Sequence, residues 1–521
     1  MLVVLILVVA TVVLAPLAQR FSLPYPAVLL AFGMVLALVP KLPVPEVDPE
    51  WILPAVLPPL LFAAARRTSW RQFLDDRRAI GLLAVALVAV TAFVVGGVLT
   101  VVVPGLPMAA AVALGAAVAP PDPVAATAVA RRLRLPRRLR AILEGEGLSN
   151  DATALVLYDV AVASVVTGAF AAGEATLRLG LAVVVGIGVG VLLALGARRL
   201  LTALPAHPAG SALVLVLPFV AYGAADAAHG SGVLAVVTVA LGLSRYGDVE
   251  SAQTRLVTNT TWEVLELLIT GAAFAFVGLE LRSVADNVPG PLSTALVQAA
   301  IVTGVVIVVR FAWIFPVAAA DEALRRRRGV AAEPVGIREM TVASWAGMRG
   351  VVTLAAVLAL PLAPTPFPER ERLILIAFVV IAVTMLVQGM TLPFIVKTLR
   401  IEASEDERAR EAQELIRRAR RAGFAELHRM RERGDVPTDV LEHAEENADR
   451  MWHSLGFQPE DHSVEESERT TDHAVTANAV KDEMLAAARD EIVSARVESG
   501  ADPTLADAVL RRLDARGTYP E

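Results

Sequence analysis

Apolar and polar positions alternate along this chain in long blocks. Runs of Leu, Val, Ala and Ile occupy 2–19, 24–40, 51–65, 79–103, 107–130, 141–171, 177–200, 210–228, 231–244, 261–281, 290–318, 340–362 and 372–396. A membrane-crossing helix needs ~20 such residues, fewer where loops are tight, so the pattern predicts about thirteen helices. The breaks carry a second pattern. Arginines gather after the odd-numbered runs, as Arg66 to Arg78, Arg131 to Arg140, Arg198 and Arg199, Arg245 and Arg255, and Arg325 to Arg338. Breaks after even-numbered runs hold few basic residues. The positive-inside rule then places the N-terminus outside and the far end of the chain in the cytoplasm.

Beyond residue 400 the apolar runs stop. Glu, Arg and Asp mix at helical spacing over 409–432, with further helical stretches over about 474–498 and 504–515. The expected fold is an all-α polytopic membrane domain over 1–400 followed by a helical cytoplasmic tail over 401–521. Five of the seven histidines, His428, His443, His453, His462 and His473, lie in the tail. Imidazole titrates near neutral pH, so the tail reads either as a pH sensor or as an ordinary solvated helical domain.

Composition narrows the chemistry. Of 521 residues 55% are hydrophobic, the net charge is −6, and there is no cysteine, which excludes disulfides, thiolate nucleophiles and iron–sulfur clusters. Met1 runs straight into an apolar stretch with no basic segment before it, as expected for a retained first helix.

Against this background EGEGLSNDATALVLYD, residues 144–159, stands out. A carboxylate at mid-membrane costs on the order of 3 kcal/mol on insertion scales, so Glu146 and Asp151 mark a pathway rather than a lipid face. Glu146 and Asn150 are four apart and share a helix face, and Asp159 lies two turns beyond Asp151. The preceding run holds Pro120, Pro121 and Pro123 around Asp122, which must break a helix at membrane depth. Asp122 there can cap the following half-helix, and the freed carbonyls become cation ligands. The twelfth run has Gly347 and Gly350 flanking Arg349. Interrupted spans in corresponding halves point to a binding site built on inverted repeats. Arg349 can balance the carboxylates or cap the carbonyl end of a broken helix; a structural Glu146–Arg349 ion pair is the plainer alternative. Glu263 and Glu266 read as facing a funnel or the cytoplasm, and Asp226 and His229 as solvent-exposed. The GIGVG stretch 186–190 reads as close helix packing, and Met385 and Met390 as core. A gated cation channel would share the broken spans but needs rings of pore-lining groups, and an intramembrane hydrolase would need a nucleophile–base pair that is not visible.

At these residues the chain resembles the bacterial sodium/proton antiporters of the monovalent cation:proton antiporter-1 family, related to animal sodium/hydrogen exchangers. The likeness runs through LPPLLFAAA (57–65), DPVAATAVARRLRLPRRL (122–139), ILEGEGLSNDATALVLYD (142–159), HGSGVLAVV (229–237), WEVLELLITGAAFAFVGLEL (262–281), WAGMRGVV (345–352) and VTMLVQGMTLP (383–393). It implies a homodimer in the cell membrane with thirteen helices, two of them broken and crossing. Dimer-interface helices fall at roughly 1–78 and 177–281, and a mobile core at roughly 79–171 and 290–400. It implies Asp151 as the transport carboxylate, Asn150 as its partner, Glu146 in the site and Arg349 as the core arginine. Asp151, Glu146, Asp122, Ser149 and the Pro121 carbonyl are then the expected ligands of a monovalent cation, sodium with lithium or potassium as alternatives. The exchange partner is the proton, with no cofactor and no nucleic acid. The chain departs from the family where a threonine is expected at Pro121 and a serine at Gly147, which bears on cation preference. Because Asn150 is neutral the pair carries one titratable charge, which predicts electroneutral exchange.

Overall fold

The computed structural model describes residues 2–21, 23–40, 49–66, 77–122, 135–168, 172–203, 208–245, 252–327, 336–361, 366–401, 405–434, 436–455, 471–498 and 501–518, and over these the chain is helical. The helices are α1 Leu2–Arg20, α2 Tyr25–Ala37, α3 Pro49–Arg66, α4 Arg77–Val102, α5 Met108–Val118, α6 Arg137–Thr167 and α7 Ala172–Ala203. There follow α8 Pro208–Ala227, α9 Gly232–Arg245, α10 Ala252–Leu279, α11 Leu281–Asp286, α12 Leu292–Arg327, α13 Ile337–Trp345, α14 Val351–Leu358 and α15 Arg370–Leu399. The tail holds α16 Glu405–Arg433, α17 Thr438–Leu455, α18 Thr471–Glu498 and α19 Pro503–Thr518.

Among the described residues seven helices are long and apolar enough to cross a membrane, namely those of α4, α6, α7, α8, α10, α12 and α15. Shorter apolar helices α1, α2, α3, α5 and α9 pack among them. Their apolar surface does not all turn inward. Leu181, Val184, Leu192 and Leu195 of α7 are exposed, as a lipid-facing helix requires, since every backbone group is already satisfied within the helix.

The membrane helices pack as two groups. One contains α1, α2, α3, α7, α8, α9 and α10; the other contains α4, α5, α6, α12, α13, α14 and α15. Small residues draw helices together within each. Gly33 of α2 lies against the Ala275 carbonyl of α10 so closely that a Cβ would collide with it, and Gly278 does the same against Leu30. Gly186 and Gly190 bring α7 onto Ser231 and Ala235 beside α9, the close packing expected of that glycine stretch. Of the two methionines expected in the core, Met385 is buried but Met390 faces outward from α15. The seam between the groups runs where α6 meets α3 and α9, and where α14 meets α3 and α10. Leu148 and Ala152 of α6 lie there among Leu57 and Leu61 of α3.

The tail closes on its own apolar core, including Leu415, Ala419, Trp452, Leu485, Ile492 and Leu513. Helix α17 was not expected from the sequence. It buries Val440, Leu441, Ala448 and Trp452 along one stripe, but its other positions are so charged that the stripe is thin.

Candidate functional site

Two interrupted stretches meet at the centre of the second helix group. Helix α5 ends at Val118, and Ala119 to Asp122 leave the helical path through Pro120 and Pro121. Helix α13 ends at Trp345, and the chain resumes as α14 at Val351. The Asp122 amide donates to the Met348 carbonyl at 2.7 Å, which ties one interruption to the other. Gly350 is required at this contact, because a Cβ there would run into the Asp122 carboxylate. Residues 123–134 lie outside those described, so the helix that Asp122 was expected to cap is not described.

Helix ends inside an apolar domain leave carbonyls that must find donors. Arginines supply them. Arg349 donates from Nε to the Val118 carbonyl at 2.9 Å, from Nη2 to Ala119 at 3.3 Å, and from Nη1 to Gly347. It thereby closes the C-terminal end of α5, where the helix dipole favours a cation. Its own amide donates to Thr384 Oγ1 at 3.1 Å, within a wide π-helical turn of α15 over Thr384–Gln388. The far end of α14 is closed in the same way. Arg370 donates to Leu358 and Leu360 at 2.6 and 3.0 Å, and Tyr158 Oη to Ala356 at 2.6 Å.

The carboxylates sort differently from expectation. Glu146 does not pair with Arg349. Both of its oxygens accept from Arg310 of α12, at 2.5 and 2.8 Å. Arg310 also donates to the Ala343 carbonyl from Nε and Nη2, at 3.1 and 3.0 Å. Arg310 and Glu146 are 2% and 1% exposed, so the pair is removed from solvent. Arg310 was missed in the sequence, where it is one base in the apolar run VVIVVRFAWIF (305–315). A lone intramembrane arginine is itself the signal that marks it. Gly347 makes room for both arginines, since a Cβ there would press on the Arg310 side chain and approach Arg349.

Asp151 and Asn150 are buried on α6. Asn150 Nδ2 donates to the Pro121 carbonyl at 2.9 Å, which fastens α6 to the interruption after α5. Among the described residues, Asn150 Oδ1 and Asp151 Oδ2 have no hydrogen-bond partner. A buried carboxylate left so must be neutralised, by a proton or by a cation. The site thus brings together Asn150, Pro121, Asp122 and Arg349, with Glu146 held by Arg310 beside them. Ser149 is half-buried and lies roughly 200° round α6 from Asp151 at the helical ~100° per residue. No hydrogen bond brings it to Asp151. Gly147 is buried, so the site lacks a hydroxyl at that position. Asp159, Asp226, His229 and Glu263 are exposed. Among the described residues no three His, Cys, Asp or Glu cluster as metal ligands; the oxygens grouped here are the carboxylates of Asp151 and Asp122, the Asn150 amide oxygen and backbone carbonyls. These are hard oxygen donors, the type that suits a hard cation.

The chain matches known proteins over its membrane part. The family model described as sodium/hydrogen exchanger, transmembrane, matches residues 6–398. The chain is 36% identical over 453 residues to an uncharacterised Na(+)/H(+) exchanger of Mycobacterium tuberculosis, covering 84% of this chain and 82% of that one. It is 30% identical to a sodium, potassium, lithium and rubidium/H(+) antiporter of Bacillus pumilus, over 72% of this chain and 58% of that one. Among solved structures, the sodium proton antiporter MjNhaP1 of Methanocaldococcus jannaschii shares the fold with a TM-score of 0.58 at 18% identity, covering 76% of this chain and 97% of that one.

Proposed function

We propose that this chain, which belongs to the sodium/hydrogen exchanger family, exchanges sodium for a proton at Asp151, with lithium and potassium as competing substrates. The family is one of monovalent cation/proton antiporters in membranes, and the fold agrees with it. The finer reading rests on one observation above all. Asp151 is a buried carboxylate with an oxygen left open, next to a neutral amide fastened to a proline carbonyl.

Asp151 carries a cation or a proton, never both, because a buried anion is neutralised once. When the proton leaves, Asp151, Asn150 Oδ1 and the carbonyls of Pro120 and Pro121 receive the cation, with Asp122 close by and Glu146 reaching it through water. Arg310 keeps the Glu146 charge balanced, and in the proposed cycle Asp122 keeps its charge, so the site changes charge only through Asp151. One proton then exchanges for one cation and no net charge moves. The breadth of cations in the name of the Bacillus relative, together with Pro121 and Gly147 in place of hydroxyls, supports weak discrimination among alkali ions.

In this reading the helix group that carries α6 moves against the group that contains α3 and α9, exposing Asp151 to each side in turn. The unit is a homodimer of the cell membrane with thirteen spans, the fifth and twelfth broken and crossing as inverted repeats. Its N-terminus is outside and its tail cytoplasmic, as the arginine pattern predicts. The test is proton flux in inside-out vesicles acidified within. Adding sodium, lithium or potassium alkalinises the lumen and ranks the three ions. A lumen that stays acid with all three contradicts the reading.

A further inference from the structure

One buried side chain beside the crossing has polar atoms that meet nothing. Gln388 of α15 is 1% exposed, and neither its amide nitrogen nor its amide oxygen has a hydrogen-bond partner. Among the described residues it is the one amide side chain in which both ends are open. Turning the amide over exchanges nitrogen for oxygen and changes nothing, since both positions lack a partner. An amide taken out of water in this way carries its full desolvation cost. Leucine or methionine would fill the same space without that cost, so the amide points to a ligand.

Its place on α15 says where that ligand sits. Gln388 closes the wide π-helical turn Thr384–Gln388, a distortion frequent at functional sites. Thr384 lies four positions before it and Thr391 three after, so the three share one face of the helix. Both threonines meet the stretch between α13 and α14. Thr384 Oγ1 accepts from the Arg349 amide at 3.1 Å and donates to the Val380 carbonyl at 2.7 Å. Thr391 Oγ1 accepts from Trp345 Nε1 at 2.9 Å. Gly389 comes next, and a Cβ there would stand 3.1 Å from the sulfur of Met348. The Met348 carbonyl is the one that takes the Asp122 amide. Gln388 therefore lies against the stretch that joins the two interruptions. Its open atoms select the ligand. A cation would occupy the oxygen and leave the nitrogen bare, and an anion would do the reverse. Water both donates and accepts, and serves both ends. Met348 and Met385, each 0% exposed, are adaptable neighbours that make room for it.

We propose that Gln388 holds an internal water molecule against the stretch 346–350, and that this water fixes the crossing in the geometry at which the cation binds. Gln388 is a positioning residue: it acts through Met348 and Arg349 on Asp122 and the end of α5, without touching the cation. This rests on the proposed reading of Asp151 and its neighbours as the exchange site. Losing the water shifts the crossing slightly, which ions of different radius feel unequally.

Radiolytic hydroxyl labelling of the full chain in detergent tests the water itself. Radicals from bulk solvent do not reach a sealed sulfur, whereas an activated bound water does. Met348 and Met385 are oxidised in the parent and spared in Gln388→Met, a variant of nearly the same length and volume. Both methionines unlabelled in the parent overturn the site, whether or not the variant folds. The thermal midpoint is a second measurement. It falls in Gln388→Met if the amide has a water to lose; a midpoint that rises shows an amide without a partner and overturns the site. Proton flux in inside-out vesicles reads the positioning role. Gln388→Met shifts the ratio of the half-saturating sodium and lithium concentrations by about fivefold, the factor that one hydrogen bond supports. A mere loss of folded protein leaves that ratio where it was, and an unchanged ratio overturns the positioning role. A parent that moves no protons overturns the antiporter reading and the positioning role with it, while the labelling still decides on the water.

Discussion

Arg310 of α12 holds Glu146 of α6 with two parallel hydrogen bonds at 2.5 and 2.8 Å, across 164 positions of sequence. Both groups are buried, and the same guanidinium closes the Ala343 carbonyl. Removing one partner of such a pair leaves a charge buried alone, at a cost of about 3–5 kcal/mol. Arg310→Ala therefore lowers the thermal midpoint of the detergent-solubilised protein strongly. The double variant Arg310→Ala with Glu146→Ala recovers much of the loss. A double variant that is no more stable than Arg310→Ala would place the role of Arg310 in its carbonyl contact rather than in the pair.

The contact between the two interruptions depends on Gly350. A methyl group there would meet the Asp122 carboxylate, so Gly350→Ala must displace Asp122 or part the Asp122–Met348 hydrogen bond. The expected outcome is a folded protein with sharply reduced exchange. Flux assays at matched expression check it; a Gly350→Ala protein that exchanges like the parent would show that the crossing tolerates movement.

Arg349→Lys keeps the charge but not the fork. A lysine cannot reach Val118, Ala119 and Gly347 together, as the guanidinium does, so at least one buried carbonyl loses its donor. That costs about 1–3 kcal/mol. Unfolding in denaturant measures it, and an unchanged midpoint would contradict the capping role.

The neutrality of Asn150 leads to an electrical prediction. With one titratable charge in the Asn150–Asp151 pair, a membrane potential imposed with potassium and an ionophore leaves the initial sodium/proton exchange rate unchanged. A rate that follows the imposed potential would mean that a second group changes charge during the cycle.

Much of this was legible in the chain. The apolar runs located the helices because an isolated span must satisfy its own backbone, which ties length to sequence directly. The prolines at 120–123 and the glycines around Arg349 located the interruptions for the same reason. Asp151 and Asn150 stood out because polar groups in an apolar run need a purpose. What was not legible was pairing. Glu146 has two arginines within reach in three dimensions, and spacing along the chain cannot say which one faces it. Arg310 lies in mid-helix with no proline, glycine pair or acid beside it in sequence to mark it, unlike Arg349 between its glycines. The tail helix α17 escaped because its apolar stripe is narrow among acidic positions. The docking of Asp502 on Arg140 links segments 362 residues apart, which no local pattern encodes.

In the proposed cycle Asp151 is the group at which cation and proton compete. Asp151→Asn removes the charge and keeps the shape, so the protein folds and reaches the membrane. In inside-out vesicles sodium is expected to alkalinise the lumen with the parent protein and to leave it acid with Asp151→Asn. Sodium-driven alkalinisation retained in the variant would contradict it.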